Sequence, residues 1–131
     1  MITGGRIDAV EGKKLMDGPL KGLNINIAIS DIKIDGQKME IVYSYSAVYA
    51  DNLGDLKIKG ALFTEEDKKL VKDVETEWKK SKKLPVAYAE IILNAINYSG
   101  SANGTLLARV LNLSPPLVPP RIALGDAKKQ G

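Results

Sequence analysis

The chain has 131 residues, 19 Lys and Arg against 16 Asp and Glu, a net charge of +3, and neither cysteine nor histidine. A disulfide framework, a thiolate metal site, a cysteine nucleophile and the imidazole base or ligand of most enzymes and metal sites are therefore excluded, and no catalytic constellation or metal set is expected. The length predicts one domain, over residues 1–124 ahead of a disordered tail, 125–131, with a core that buries about two thirds of the unfolded surface; the layout of strands followed by helices makes that domain α+β.

Arg6–Val10 reads as a short edge strand, and Glu11–Gly22 as an irregular Gly/Pro/Lys connection long enough to cross over a sheet. Leu23, Ile25, Ile27 and Ile29 then alternate with Asn24, Asn26, Ala28 and Ser30, the period of a half-buried strand. The apolar parity breaks before Ile32 and Ile34. Asp35-Gly36 reads as a two-residue hairpin loop, and Met39, Ile41, Tyr43, Tyr45, Ala47 and Tyr49 line one face of the return strand. That loop pairs Ile34 with Gln37. One extra residue at Ser30–Asp31, a β-bulge, brings the apolar faces back into phase, with Ile29 opposite Ile41. A four-residue turn at Asp51–Gly54 would set Leu56 opposite Tyr49 and Gly60 opposite Tyr45, where a missing side chain leaves room for a ring. The tyrosines read as core residues, with a groove lining as the other reading.

Thr64-Glu65-Glu66-Asp67 resembles a capping box with Thr64 as N-cap, and Leu70, Val71, Val74 and Trp78 give an amphipathic helix over roughly 65–82. The run Lys79, Lys80, Lys82, Lys83 complements the dipole at its end, with an anion or nucleic-acid patch as the alternative. Pro85 suits a first helical position. The helix over about 85–98 is apolar nearly all round, so burial on two sides is expected, with Ile91, Ile92, Leu93 and Ile96 at an interface between copies. Ser99-Gly100-Ser101 and Asn103-Gly104 read as breaks before a short third helix over Leu106–Leu111. The proline pairs 115–116 and 119–120 give an extended strap that docks on the protein's own surface or is offered to a partner.

Other chemistry is thin. Thr3-Gly4-Gly5 is too short for a phosphate loop, and Ser99 and Ser101 lack a base. Asp31/Asp35 and Asp51/Asp55 sit in turns, where aspartate bonds its own backbone, with a divalent cation as the lesser alternative. Met1–Val10 lacks the apolar stretch of a signal peptide and no run reaches transmembrane length, so a cytoplasmic location is expected.

The order of parts, and the segments INIAISDIKIDGQKMEIVYSYSAVYADNLGDLKIKGALFTEE and LPVAYAEIILNAINYSGSANGTLLARVLNLSPPLVPPRI, resemble the SecB-type export chaperones, and within them small archaeal SecB-like proteins. That resemblance implies an antiparallel four-stranded sheet with two to three helices on one face. It also implies a tetramer built as a dimer of dimers, and binding of unfolded or nascent chains in apolar grooves, without cofactor or ATP. Candidate peptide contacts are then Leu15, Met16 and Leu20 on the connection, with Tyr43, Tyr45 and Trp78 below. The alternatives are an oligomeric structural or interaction protein, or a weak nucleic-acid binder through the Lys79–Lys83 run. This chain is basic, whereas export chaperones are acidic.

Overall fold

The computed structural model describes residues 1–116. Four strands, β1 (Ile2–Lys14), β2 (Leu23–Asp35), β3 (Lys38–Tyr49) and β4 (Gly54–Glu65), are followed by helices α1 (Lys68–Ser81) and α2 (Val86–Val110). The strands form one antiparallel sheet in the order β1-β4-β3-β2. Both helices lie on a single face. The expected α+β architecture is present, while the strap beyond Pro116 and the tail lie outside the described residues.

Edge strand β1 runs well past the expected Arg6–Val10 and pairs with β4 along its whole length. The connection to β2 therefore shrinks to residues 15–22. It must still pass the ends of β4 and β3, three strand spacings or about 14 Å, well within the reach of eight extended residues at about 3.3 Å each. Backbone bonds pin it on the way: Leu15 and Met16 donate to the Leu53 carbonyl at 2.9 and 3.3 Å, and Ala50 donates to the Gly22 carbonyl at 3.0 Å.

The bulge falls where the apolar parity requires it: pairing shifts between Ile29 and Asp31. Register elsewhere differs by one residue on each strand. The hairpin loop is Gly36-Gln37, since Gly36 takes the positive φ (63°) at the first central position and Asp35 stays paired with Lys38. Ile29 thus faces Tyr43, not Ile41. The β3–β4 turn is Ala50–Leu53, with Asp51 and Asn52 at φ 61° and 56°, a backbone region these two residue types tolerate. Leu56 therefore faces Ala47, and Gly60 faces Tyr43. The space at Gly60 is filled by the Arg6 carbonyl of β1, with the Tyr43 hydroxyl 3.1 Å from where a Cβ would stand. Each slip is even, so the apolar face survives.

That face is the core. Met39, Ile41, Tyr43, Tyr45, Ala47 and Tyr49 of β3 and Leu56, Ile58 and Leu62 of β4 are buried under Val71 and Val74 of α1 and Ala89, Ile92, Ile96 and Ala108 of α2. The other face of β3 and β4 carries Glu40, Ser44, Ser46, Lys57 and Lys59, as befits an antiparallel sheet covered on one side.

Helix α1 is capped by Asp67, whose side chain accepts from the Leu70 amide at 2.8 Å, and not by Thr64. Thr64 is committed to the sheet, paired with Met39 on one side and Ile2 on the other. Pro85 is the N-cap of α2, one position earlier than expected. Helix α2 is a single element of 25 residues, with no break at 99–104 and no separate third helix. Its polar residues bond within the helix instead of ending it: Asn103 Nδ2 reaches the Ser99 carbonyl at 2.9 Å and Thr105 Oγ1 the Ser101 carbonyl at 2.8 Å. Its glycines are contact residues. A Cβ on Gly100 would overlap the Tyr45 ring, and one on Gly104 would stand 2.9 Å from Pro116 Cγ. Past α2 the chain turns back, and the Tyr49 hydroxyl donates to the Ser114 carbonyl.

In a solvent-facing helix Gly→Ala stabilises by about 0.5–1 kcal/mol. At Gly100 the sign should reverse. Gly100→Ala should cost about 1–3 kcal/mol in urea unfolding because the added methyl has no space, whereas Ala102→Gly on the outer face should lose at most about 1 kcal/mol. A Gly100→Ala protein as stable as the parent would show that α2 does not sit this close to the sheet.

Burial also sets a pH response. Tyr88 is buried, and loss of water pushes its hydroxyl up to about 12 from 10.0, with Thr64 acting in the opposite sense. Burial raises Tyr45 and Tyr49 as well. Ser101 opposes the shift at Tyr45, although the two hydroxyls do not complete a hydrogen bond. Above pH 10 the unfolded chain releases the Tyr88 proton while the folded chain keeps it, so the unfolded state binds fewer protons and stability falls with rising pH. The Tyr88 contribution is intact below pH 10 and lost by about pH 12. Tyr88→Phe should flatten the decline in unfolding free energy across that window by roughly 2 kcal/mol; identical curves for the two proteins would contradict the burial effect.

Candidate functional site

Among the described residues, an open apolar hollow lies where the chain passes from α1 to α2. It is a cleft of about 280 Å³ lined by Ile29, Trp78, Lys82, Lys83, Leu84, Val86, Ala89 and Leu93. Ile29 comes from β2, immediately before the bulge. Trp78 stands in the last turn of α1, and Val86, Ala89 and Leu93 recur at the i, i+3, i+7 spacing that places them on one side of α2. Helix α1 ends with Lys82 in a left-handed conformation (φ 58°), its amide bonded to the Trp78 carbonyl at 2.9 Å. The same residue's ammonium lies 5.6 Å from the centre of the Trp78 ring.

Two properties make this cleft suited to an extended chain. Strand β2 is an edge of the sheet, so among the described residues the backbone donors and acceptors along its outer side have no strand partner. Leu23, Ile25, Ile27 and Ile29 continue the apolar lining along β2 as half-buried residues packed on the core. A ligand lying beside β2 would meet backbone hydrogen-bonding groups and an aliphatic row together.

A larger hollow of about 500 Å³ opens at the Gly36 end of the sheet, lined by residues including Thr3, Lys33, Asp35, Glu40 and Phe63. Part of its charge, at Lys33 and Glu40, is already matched. Arg6 bonds Asp8 at 2.6 Å and Glu40 at 3.3 Å, and Lys33 lies 3.7 Å from Glu40. Those contacts, the one to Asp8 foremost, hold the Arg6 guanidinium above its ordinary pKa. It is the weaker candidate for an apolar ligand because Lys33, Asp35, Lys38, Glu40 and Glu65 line it, and a ligand at Glu40 would compete with Arg6 and Lys33. Among the described residues no group of three or more acidic side chains is placed to hold a metal ion, and no helix is long and apolar enough to cross a membrane.

The six residues named as peptide contacts do not converge. Leu15, Met16 and Leu20 are exposed on the β1–β2 connection, where Met16 and Leu20 border a small hollow with Tyr49, Leu53 and Leu113. Tyr43 and Tyr45 are buried beneath α2, at 3% and 0% exposure, and only Tyr43 borders a hollow, between Arg6 and Ser99. Trp78 sits in the cleft. Leu53 adjoins the Tyr49 end of the sheet whereas Ile29 is level with Tyr43, six residues or about 20 Å away. Of the residues named for an interface between copies, Ile92 and Ile96 are fully buried on this chain's own sheet, Leu93 is half-buried in the cleft and Ile91 is exposed. The outer side of α2 is nevertheless apolar, with Ala87, Ile91, Tyr98, Ala102, Leu106 and Val110 exposed. Sequence reasoning missed Ile29, Val86 and Ala89 as partners of Trp78. The 86-89-93 stripe was visible, but only the fold brings Ile29 against it.

No protein-family model and no curated protein matches the sequence. A solved structure does match in shape: a Mycobacterium tuberculosis SecB-like chaperone in complex with a ChAD peptide from an antitoxin. The TM-score is 0.64 at 13% identity, over 94% of this chain and 87% of that one. The chain has a SecB-like fold.

Proposed function

We propose that this chain is a non-catalytic, chaperone-like module that holds extended apolar polypeptide segments. It would act without ATP, in the cytoplasm, as an assembly of two or four copies. The observation that carries this reading is the cleft itself: exposed Val86 and half-buried Ile29, Trp78 and Leu93 line a hollow beside the edge of β2, which is unpaired among the described residues. A chaperone of the same fold that has been captured with a peptide supports it.

The energetics fit a holding function. Each large aliphatic side chain of a client that leaves water in the cleft contributes about 1.5–3 kcal/mol. Ordering an extended segment consumes about 2–5 kcal/mol or more of the gross gain. Two or three anchors therefore give binding that is useful yet reversible. Leu15, Met16 and Leu20 provide a second apolar contact at the far end of the sheet for longer clients. The apolar outer side of α2 supports self-association through Ile91 and Tyr98, with Ile92 and Ile96 reserved for the core.

The test is suppression of aggregation of a chemically denatured client, followed by turbidity. Val86→Asp should remove most protection, and the Leu15→Asp/Met16→Asp pair should weaken protection of long clients. All three positions are more than half exposed, so melting temperatures should move by no more than a few degrees. Full protection by both variants would overturn the reading. Size-exclusion with light scattering should give a dimer or tetramer for the parent and a monomer for Ile91→Glu/Tyr98→Glu; a monomeric parent would remove the assembly from the proposal.

A further inference from the structure

The chain carries a lysine run that its helix only half accounts for. Lys79 and Lys80 belong to the last turn of α1, where they complement the dipole, and Lys79 lies 3.9 Å from Glu75. Lys82 and Lys83 come after the helix and are part of the cleft wall. Among the described residues, neither takes part in an ion pair and no carboxylate lines the cleft. The α1 carbonyl end places about half a negative charge nearby, against two full positive charges, so the rim is net positive. The Trp78 ring holds Lys82 on the cleft side through its cation–π contact.

Resting on the peptide-holding reading above, we infer that the cleft selects apolar polypeptide segments with an acidic flank. The apolar part of the segment lies on Ile29, Trp78, Val86 and Leu93, and the flanking Asp or Glu meets Lys82 and Lys83. A basic flank would bring like charges together at the rim, and a neutral flank would leave both lysines as they are in the free protein. The selection is modest and salt-dependent, because the lysines are exposed and each such pair contributes a few-fold in affinity.

Trp78 is the sole tryptophan of the chain, so its emission reports on this cleft alone. Three synthetic peptides with one apolar core, flanked by glutamates, serines or lysines, would be titrated against the full chain. Expected affinities fall in the order glutamate, serine, lysine, with about three- to tenfold between glutamate and serine. That margin should collapse in about 1 M NaCl, where screening acts within about 3 Å. Lys82→Asn/Lys83→Gln, in which asparagine tolerates the left-handed position, should bring the glutamate peptide down to the serine one. Lys80→Gln should leave the order unchanged.

Equal binding of all three peptides would overturn the acidic preference while leaving the peptide-holding reading intact, whereas failure of all three to bind would remove both. If the double variant proves unstable, the salt titration of the parent still decides. Palmitate that displaced the glutamate peptide and lost affinity in the double variant would overturn a polypeptide occupant in favour of a fatty acid. Trp78 emission that shifted on dilution, without peptide, would overturn it in favour of a second copy of the chain.

Discussion

The contact on which the rest depends is the approach of α2 to the sheet, where the Tyr45 ring occupies the place a side chain at position 100 would take. Two glycines within a helix cost about 1 kcal/mol each in propensity. Here that loss is offset because the helix backbone comes down onto the ring and buries Ile92 and Ile96 completely. Truncating either isoleucine would forfeit about 2–5 kcal/mol, so the close approach wins over propensity. The same approach buries Tyr45 completely and Tyr43 almost so, which places both aromatics in the core.

With α2 anchored at its middle, the free surfaces are set by what it leaves uncovered. Its first turns, the end of α1 and the edge strand β2 meet around a hollow that none of them closes. A one-sided sheet with an exposed edge is ordinarily a hazard, and the bulge beside Ile29 is a common device against unwanted pairing. An edge kept partly open, flanked by an aliphatic row and a tryptophan, is the geometry in which that hazard becomes a binding property.

Charge divides along the same lines. Around Arg6 and Glu40, opposite charges neutralise one another, within β1 at Asp8 and across β4 at Glu40. At the cleft, two cations stand beside apolar surface without a carboxylate partner among the described residues. The modest net charge of +3 conceals this contrast, because it sums a matched cluster and an unmatched one.

The strands were legible because a period of two survives any even slip. The alternation from Leu23 to Ile29 and its break before Ile32 were enough to place the bulge, whereas the turns, each centred one residue away, shifted every partner by two residues without moving a side chain to the wrong face. Of the site, Trp78 and the lysine run could be named, but not which lysines border the cleft. The continuity of α2 could not be read, because Ser, Asn and Gly at 99–104 have high turn propensity in isolation. Their helical state comes from i−4 hydrogen bonds and from a ring supplied by a residue more than fifty positions away. The amino-acid order by itself determined which faces are apolar, since that follows from local periodicity. Only the tertiary structure decided which apolar residues are used up in the core and which remain for a partner, since that depends on contacts between segments far apart in the chain.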